Sequence, residues 1–466
     1  MRRFPLFALA LSMTTMNAQP AAAPSVDLSH GDLRVAPNHR FLVHADGTPF
    51  FWLGDTAWEL FHRLNREDAA RYLENRRAKR FTVIQAVVLA ELDGLNTPNA
   101  YGDRSLIDND PLKPNERYFQ HVDWIVAEAA RHGLFIAMLP TWGNLVVKAA
   151  WDKAAPEPIF HAGNARAYGR WIGGRYRGAV NLIWVLGGDR DPRGVEDVWR
   201  SMADGLREGD GGRHLITFHP PGGQSSSVLH GERWLDFNMS QSGHGRKDLP
   251  NFRFLEHDYS LTPAKPALDG EARYEDHPVN WDPDHLGWFD DYDARQAAYW
   301  AVFAGGFGHT YGCHPIWQML TPQRKPVGFA RHNWFDVLDL PGASQLRFLR
   351  ALMESRPFLS RVPDQQLVAE NPAEGSDHVQ ATRGDGYAFL YIPSGAPVRA
   401  DLGRLTAKKL RCWWFDLRSG KAADLGTRAN SGLADFSPPG ERRRGNDWIL
   451  VIDDAARSFP PPGSLH

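Results

Sequence analysis

The sequence predicts a (β/α)8 TIM barrel followed by a small all-β sandwich. Three observations carry that expectation. Short apolar runs alternate with helix-spaced segments eight times within roughly 310 residues, the arithmetic of a closed parallel ring. An open doubly wound sheet would want a phosphate-binding glycine fingerprint after an early strand, and none is found. Near Pro363 the pattern changes to short alternating strands with no helix longer than a turn. The chain divides accordingly into residues 1–23, 30–360 for the barrel and 361–460 for the sandwich.

The units follow one another closely. Leu33–Ala45 reads as a strand pair leading in, with Asp46–Gly47 as a turn. Phe50–Asp55 is the first barrel strand, Asn65–Lys79 a helix and Phe81–Leu89 the second strand. A polar loop rich in Asn, Asp, Gly and Pro runs from Glu91 to about Asn115. Loops of that length are usually functional or disordered, and this one is expected to overhang the barrel mouth and shape leaving-group subsites. Glu116–Arg131 is a helix with Phe119, Val122, Ile125 and Val126 on one side, and Leu134–Leu139 the third strand. The helix Asn164–Tyr176 leads to the fourth strand at Asn181, and the helix Val195–Leu206 to the fifth at Leu215–Phe218. Phe237–Ser240, Ala267–Asp269 and Gly308–Tyr311 complete the ring, with a helix at Asp290–Phe303 and a closing one at Gln345–Leu352. The sandwich strands are Leu367–Ala369, His378–Thr382, Tyr387–Ile392, Leu410–Phe415 and Trp448–Val451, and Phe459–His466 reads as a frayed tail.

The chain has 466 residues, 42% of them hydrophobic, and a formal charge of −2. That balance lacks the basic field a nucleic-acid partner needs. Arg2–Arg3, an apolar run Phe4–Met13 and small residues to Ala23 form a secretory signal peptide, too short to span a membrane. An exported protein, periplasmic or secreted from a bacterium, is the expectation. No later stretch reads as a membrane span. The two cysteines, Cys313 and Cys412, fall in different predicted domains and have no metal-ligand spacing, so two unpaired buried thiols are expected. No metal or organic cofactor is called for. The 17 tryptophans stand out, because their wide faces suit sugar rings as well as protein cores.

Asn181–Arg190 reads NLIWVLGGDR. Its apolar run suits a strand buried on both faces, and two glycines turn the backbone where it ends. Asp189 therefore sits just past a strand's C-terminal end, where barrels place their chemistry. Lys265–Glu275, KPALDGEARYE, has the same grammar and leaves Glu271 just beyond a strand. Strands four and seven stand nearly opposite in an eight-membered ring, so the two carboxyls face each other across its mouth. Glycosidic cleavage needs such a pair. Asp189 could instead cap a helix or pair with Arg190, and Glu271 could pair with Arg273; Glu275 and Asp269 compete with Glu271. Other strand ends would line a sugar site. Asp55 can accept hydroxyl hydrogen bonds or cap the following helix. Gln85, His219 and His244 are further polar candidates, Trp58, Trp142 and Trp317 candidate stacking platforms, and Tyr274 a group to orient Glu271. His309 and Tyr311 alternate, so at most one of them faces the barrel axis.

LGDTAW at Leu53–Trp58, LGGDR at Leu186–Arg190, DGEARYE at Asp269–Glu275 and GHTYG at Gly308–Gly312 with Trp317 nearby together resemble the apiosidase-like glycoside hydrolases. Those are barrels carrying a C-terminal collagen-binding-type β domain. The resemblance implies that Asp189 is the acid/base and Glu271 the nucleophile. It also implies a carbohydrate substrate, such as an apiose-containing pectic side chain of a plant-type polysaccharide. Direct attack would retain the anomeric configuration. Two other classes remain to be weighed. A non-catalytic carbohydrate- or matrix-binding protein would use Trp413, Trp414 and Trp448 as a face, although those residues equally suit a sandwich core or contacts to the barrel. A serine esterase would want a G-x-S-x-G elbow, which is missing.

Overall fold

A computed structural model describes residues 23–152 and 156–464, so the segment read as a signal peptide, 1–23, lies outside it except for Ala23. Eight parallel strands make the barrel: β1 (Trp52–Thr56), β2 (Val83–Leu89), β3 (Phe135–Thr141), β4 (Leu182–Gly187), β5 (Ile216–His219), β6 (Asn238–Gln241), β7 (Ala267–Asp269) and β8 (Gly308–Tyr311). Hydrogen-bonded neighbours run continuously from β5 back to β1, then on through β8 and β7 to β6. Between β5 and β6 the Asp236 N–H donates to the Ile216 carbonyl at 2.8 Å and the Thr217 hydroxyl to the Phe237 carbonyl at 2.7 Å, which brings the ring's ends together. The two-residue strand Gln224–Ser225 adds antiparallel to β6. Leu33–Val35, Leu42–His44 and Pro49–Phe50 form a small antiparallel sheet ahead of β1.

Local signals set the helices. Arg66–Ala78 starts where the Asn65 side chain accepts from the Asp68 N–H. Asp291–Phe303 starts with a reciprocal capping box between Asp290 and Asp293. Glu116–Arg131 buries Tyr118, Phe119, Val122 and Ile125 and ends at His132. Among the described residues no helix is long and apolar enough to cross a membrane. Cys313 and Cys412 are both free and buried.

The C-terminal part holds a six-stranded antiparallel sheet and a two-stranded one, Val398–Asp401 with Leu433–Phe436. Alternation along the large sheet serves two cores. Ala388, Leu390, Ile392, Leu410, Cys412, Trp414, Leu450 and Ile452 face the sandwich interior. Their neighbours Tyr387, Phe389, Tyr391, Trp413, Phe415, Ile449 and Val451 pack on the barrel. Tyr391 stacks on Tyr299 and Phe389 on Phe303, at 5.3 and 5.9 Å between ring centroids. Buried ion pairs Arg295–Asp447 and Arg356–Asp453 cross the same junction. Three expectations change here. Leu367–Ala369 is not a strand, because Gln365–Leu367 coils into a 3-10 turn. Lys421–Ala429 is a strand although its residues are mostly exposed, because it is an edge hairpin partner of Lys409–Asp416. The tail is anchored, with Arg356 over the Phe459 ring at 4.8 Å and the Gly463 N–H donating to Ser355 Oγ at 3.2 Å.

Candidate active site

A cleft of about 670 Å³ opens at the C-terminal ends of the barrel strands. Its floor carries three carboxyls: Glu91 after β2, Asp189 after β4 and Glu271 after β7. β4 ends in Gly187 and Gly188, with φ of +89° and +111°, followed by Asp189 itself at +55°. Glycine is required at 188, since a Cβ there would lie 2.7 Å from the Trp142 ring. This turn aims Asp189 into the cleft. Arg190 turns the other way, donating to Asp152 and lying over the Trp151 ring at 4.5 Å.

Glu271 is held from two sides. His219 Nε2 donates to its Oε2 at 3.0 Å and His244 Nε2 to its Oε1 at 3.1 Å. His219 Nδ1 lies 3.8 Å from an oxygen of Asp189, so one imidazole stands between the two acids. Burial works against the charge on His219, yet the hydrogen bond and charge of Glu271 hold its pKa above the ordinary value. The carboxyls separate in acidity. Burial, then the negative Glu271, push Asp189 up to about 6. Burial would also raise Glu271, but the hydrogen bonds from His219 and His244 outweigh it and hold that carboxyl down at about 2. One donor atom from each of Asp189, His219 and Glu271 lies within 4.8 Å of the others.

The walls are aromatic and polar. Trp58, Tyr274, His277, Trp281 and Trp317 line the cleft, with Gln241, the last residue of β6. His244 stacks on His277 at 4.2 Å, and the Trp281 ring meets His277 edge-on at 4.5 Å. Gln241 Oε1, the Tyr274 hydroxyl and His277 Nε2 are buried without protein partners, as groups awaiting a polyhydroxylated ligand would be. Trp151 and Trp281, 69% and 48% exposed, offer flat faces at the cleft.

The chain matches the family description "Apiosidase-like, catalytic domain" over residues 36–360. The chain belongs to the apiosidase-like glycoside hydrolases. Residues 362–453 match a second description, "Putative collagen-binding domain of a collagenase". A solved structure titled "Glycoside hydrolase" is 34% identical with a TM-score of 0.87, covering 94% of this chain and 100% of its own. A glycoside hydrolase family 5 structure from Bacteroides vulgatus is 33% identical with a TM-score of 0.86, covering 94% of this chain and 98% of its own. A search of curated proteins returned no match. The expected family and barrel fold therefore hold, and the protein is a glycoside hydrolase.

Within this apiosidase-like hydrolase, several residues singled out in the sequence stand away from the cleft. Asp55 is fully buried and points outward to the helix Arg66–Ala78, where Arg76 Nε and the Tyr72 hydroxyl each donate to Oδ2 at 2.5 Å. Gln85 sits mid-strand, below the rim, and donates to the Gly270 carbonyl at 2.9 Å; it braces the backbone beside Glu271. Trp142 is wedged between Trp58 and His219, at 5.3 and 5.9 Å, and has no open face. His309 pairs with Leu53, and Tyr311 two residues on pairs with Asp55, so both face the helices and neither the barrel axis; burial, then Arg273, push the His309 imidazole down to about 3. Its neighbour-but-one Tyr311 donates to Glu275 Oε2 at 2.6 Å. Glu275 thus lies outside the cleft, as does Asp269, which accepts from Ser242 Oγ and Asn251. Arg273 leaves Glu271 alone and reaches the Leu249 carbonyl at 3.4 Å. Of the long loop only Glu91 lines the cleft. The remainder packs down, with the Thr97 carbonyl against His62 and the Tyr101 ring 5.0 Å from His121.

Sequence reasoning passed over Glu91, Gln241, His277, Trp151 and Trp281 as site residues. The strand-end rule that singled out Asp189 reaches Glu91 and Gln241 as well. His277, Trp151 and Trp281 stand in loops whose path no local pattern reveals.

Proposed function

We propose that this hydrolase is an exported enzyme that cleaves a plant-type polysaccharide or oligosaccharide, such as an apiose-containing pectic side chain, with Asp189 as acid/base and Glu271 as nucleophile. The observation that carries the chemistry is the meeting of two carboxyls of opposite acidity over one cleft. Asp189 can bring a proton to the leaving oxygen while the anionic Glu271 attacks the anomeric carbon. Water then displaces the enzyme from the sugar, and Asp189 takes its proton. Oxygens of the two acids lie within 4.8 Å of each other, nearer the carboxyl separation of about 5–5.5 Å usual for retention than the roughly 6.5–9.5 Å usual for inversion, which supports retention. The apiose and the pectic class rest on family membership, and export rests on the leader-like N-terminus.

A panel of pectic and hemicellulosic glycans with released sugars identified tests the substrate. Proton NMR of the first-formed anomer tests retention; initial release of the opposite anomer overturns it. Asp189→Asn should lower kcat/KM on natural glycans by about 10²–10⁴-fold while sparing kcat/KM on aryl glycosides whose leaving group needs no proton; kcat on those falls as well, because release of the glycosyl-enzyme loses its base. Glu271→Gln should be inactive on both. Full activity of either variant on a cleaved glycan would remove that residue from the mechanism.

A further inference from the structure

Glu91 is the cleft carboxyl that the two-acid mechanism leaves without a task. It stands two residues beyond β2 on a turn fixed from below. Glu59, itself held by His62 and Arg63, accepts the Leu92 N–H at 3.0 Å, and the Glu91 carbonyl accepts the Asp93 N–H at 2.9 Å. The side chain lines the cleft with Asp189 and Glu271. Among the described residues no cation or hydrogen-bond donor engages its carboxylate. The charged groups that bear on it are Asp189 and Arg190 after β4, Glu59 after β1 and Glu271 after β7. Arg190 is committed to Asp152 and to the Asp189 carbonyl, so three of those four groups are acids.

We propose that Glu91 holds the working proton of this cleft jointly with Asp189, so that the pair, rather than Asp189 alone, is the acid of the reaction. Three carboxyls that line one cleft repel one another, so full ionisation of all three is disfavoured. Glu271 takes two imidazole hydrogen bonds and keeps its charge; Glu91 takes none. Burial, then the charge of Asp189, hold the Glu91 carboxyl well above its ordinary value, which agrees with this order. The singly protonated pair has two forms, with the proton on Glu91 or on Asp189. The leaving oxygen takes it from the Asp189 form as the glycosidic C–O bond breaks and Glu271 bonds to the anomeric carbon. Esterification removes the charge of Glu271 at that moment, so the doubly ionised pair becomes tolerable. The proton returns when water attacks the glycosyl-enzyme and its O–H bond breaks. Glu91 acts through Asp189 and is a positioning residue. The proposal rests on the acid/base reading of Asp189.

The test is the pH dependence of kcat/KM in wild type, Glu91→Gln and Glu91→Asp. Removing the negative charge that Glu91 contributes to the pair should let Asp189 ionise at lower pH, so the Gln variant's alkaline limb should lie below that of wild type by about one pH unit or more, with Asp bringing it back up. An unchanged limb in the Gln variant overturns the proposal. Should that variant turn over nothing, carbon-13 titration of the Asp189 carboxyl, identified by its loss in Asp189→Asn, gives the same reading. Two inflections in wild type and one in Glu91→Gln are expected; identical single inflections overturn it. If wild type cleaves no glycoside, the enzymatic roles fail, and the titration still decides whether Glu91 and Asp189 share a proton.

Discussion

His219 turns one ring nitrogen towards each of the two acids. Its Nε2–H secures Glu271 at 3.0 Å while Nδ1 faces Asp189 at 3.8 Å. Glu271 is buried, and burial favours the protonated acid; the imidazoles reverse that. Removing one should therefore raise the Glu271 pKa, since burial then acts with less opposition. In its proposed role as nucleophile Glu271 must be ionised, so activity present above that pKa is lost as pH falls through it. His219→Asn is expected to move the acidic limb of kcat/KM upward by about one pH unit or more, read between pH 3 and about 6. A limb that stays with wild type would mean that the bond does not tune Glu271. Asp55 makes the opposite lesson. A carboxylate near a strand end is ambiguous in sequence, because strand residues alternate between the axis and the helices. The partner that settles it, Arg76, is 21 residues away on a helix.

At the scale of elements, loops rather than strands supply the sugar-facing surface. Trp281 follows Asn280, and both take left-handed backbone, with φ of 59° and 48°. That conformation brings the Trp281 ring against His277 and leaves almost half of the residue exposed at the cleft. Covering such a face with a sugar ring is worth about 1–2 kcal/mol, or roughly 5–30-fold in affinity. Trp281→Ala should raise KM on a cleaved oligosaccharide by about that factor with kcat little changed. A loss confined to kcat would show that the ring serves the transition state and not substrate binding. The loop from Glu91 was legible as functional in sequence only at its first residue. Its tip packs on the helices through His62, Tyr101 and His121, contacts between segments far apart in the chain.

Across the whole molecule, the sandwich is a second wall of the barrel. Its large sheet turns a row of aromatic residues onto Tyr299 and Phe303, and two arginines from the barrel end in aspartates of the sandwich. Trp413 and Trp414, weighed as a ligand-binding face, are both buried, one towards the barrel and one in the sandwich core. Arg295 donates to both Asp447 oxygens at 3.0 Å in a site closed to water. Replacing it leaves the buried aspartate uncompensated. Arg295→Met should cost about 3–5 kcal/mol in urea or thermal unfolding, while activity of the folded fraction stays near wild type. A variant as stable as wild type would show that the junction does not depend on this pair.

The sequence by itself determined the barrel, the strand ends and the pairing of Asp189 with Glu271. Those follow from local rules: apolar runs bounded by glycine, helix spacing, caps, and the geometry of an eight-membered ring that sets strands four and seven three places apart, across its mouth from each other. Only the tertiary structure decided which polar strand residues face the cleft and which face a helix. It also decided that two histidines hold Glu271, and that Glu91 joins the other acids. Those facts depend on distances between segments remote in sequence, and on burial, which changes the acidity of a carboxyl according to what surrounds it rather than what precedes it in the chain.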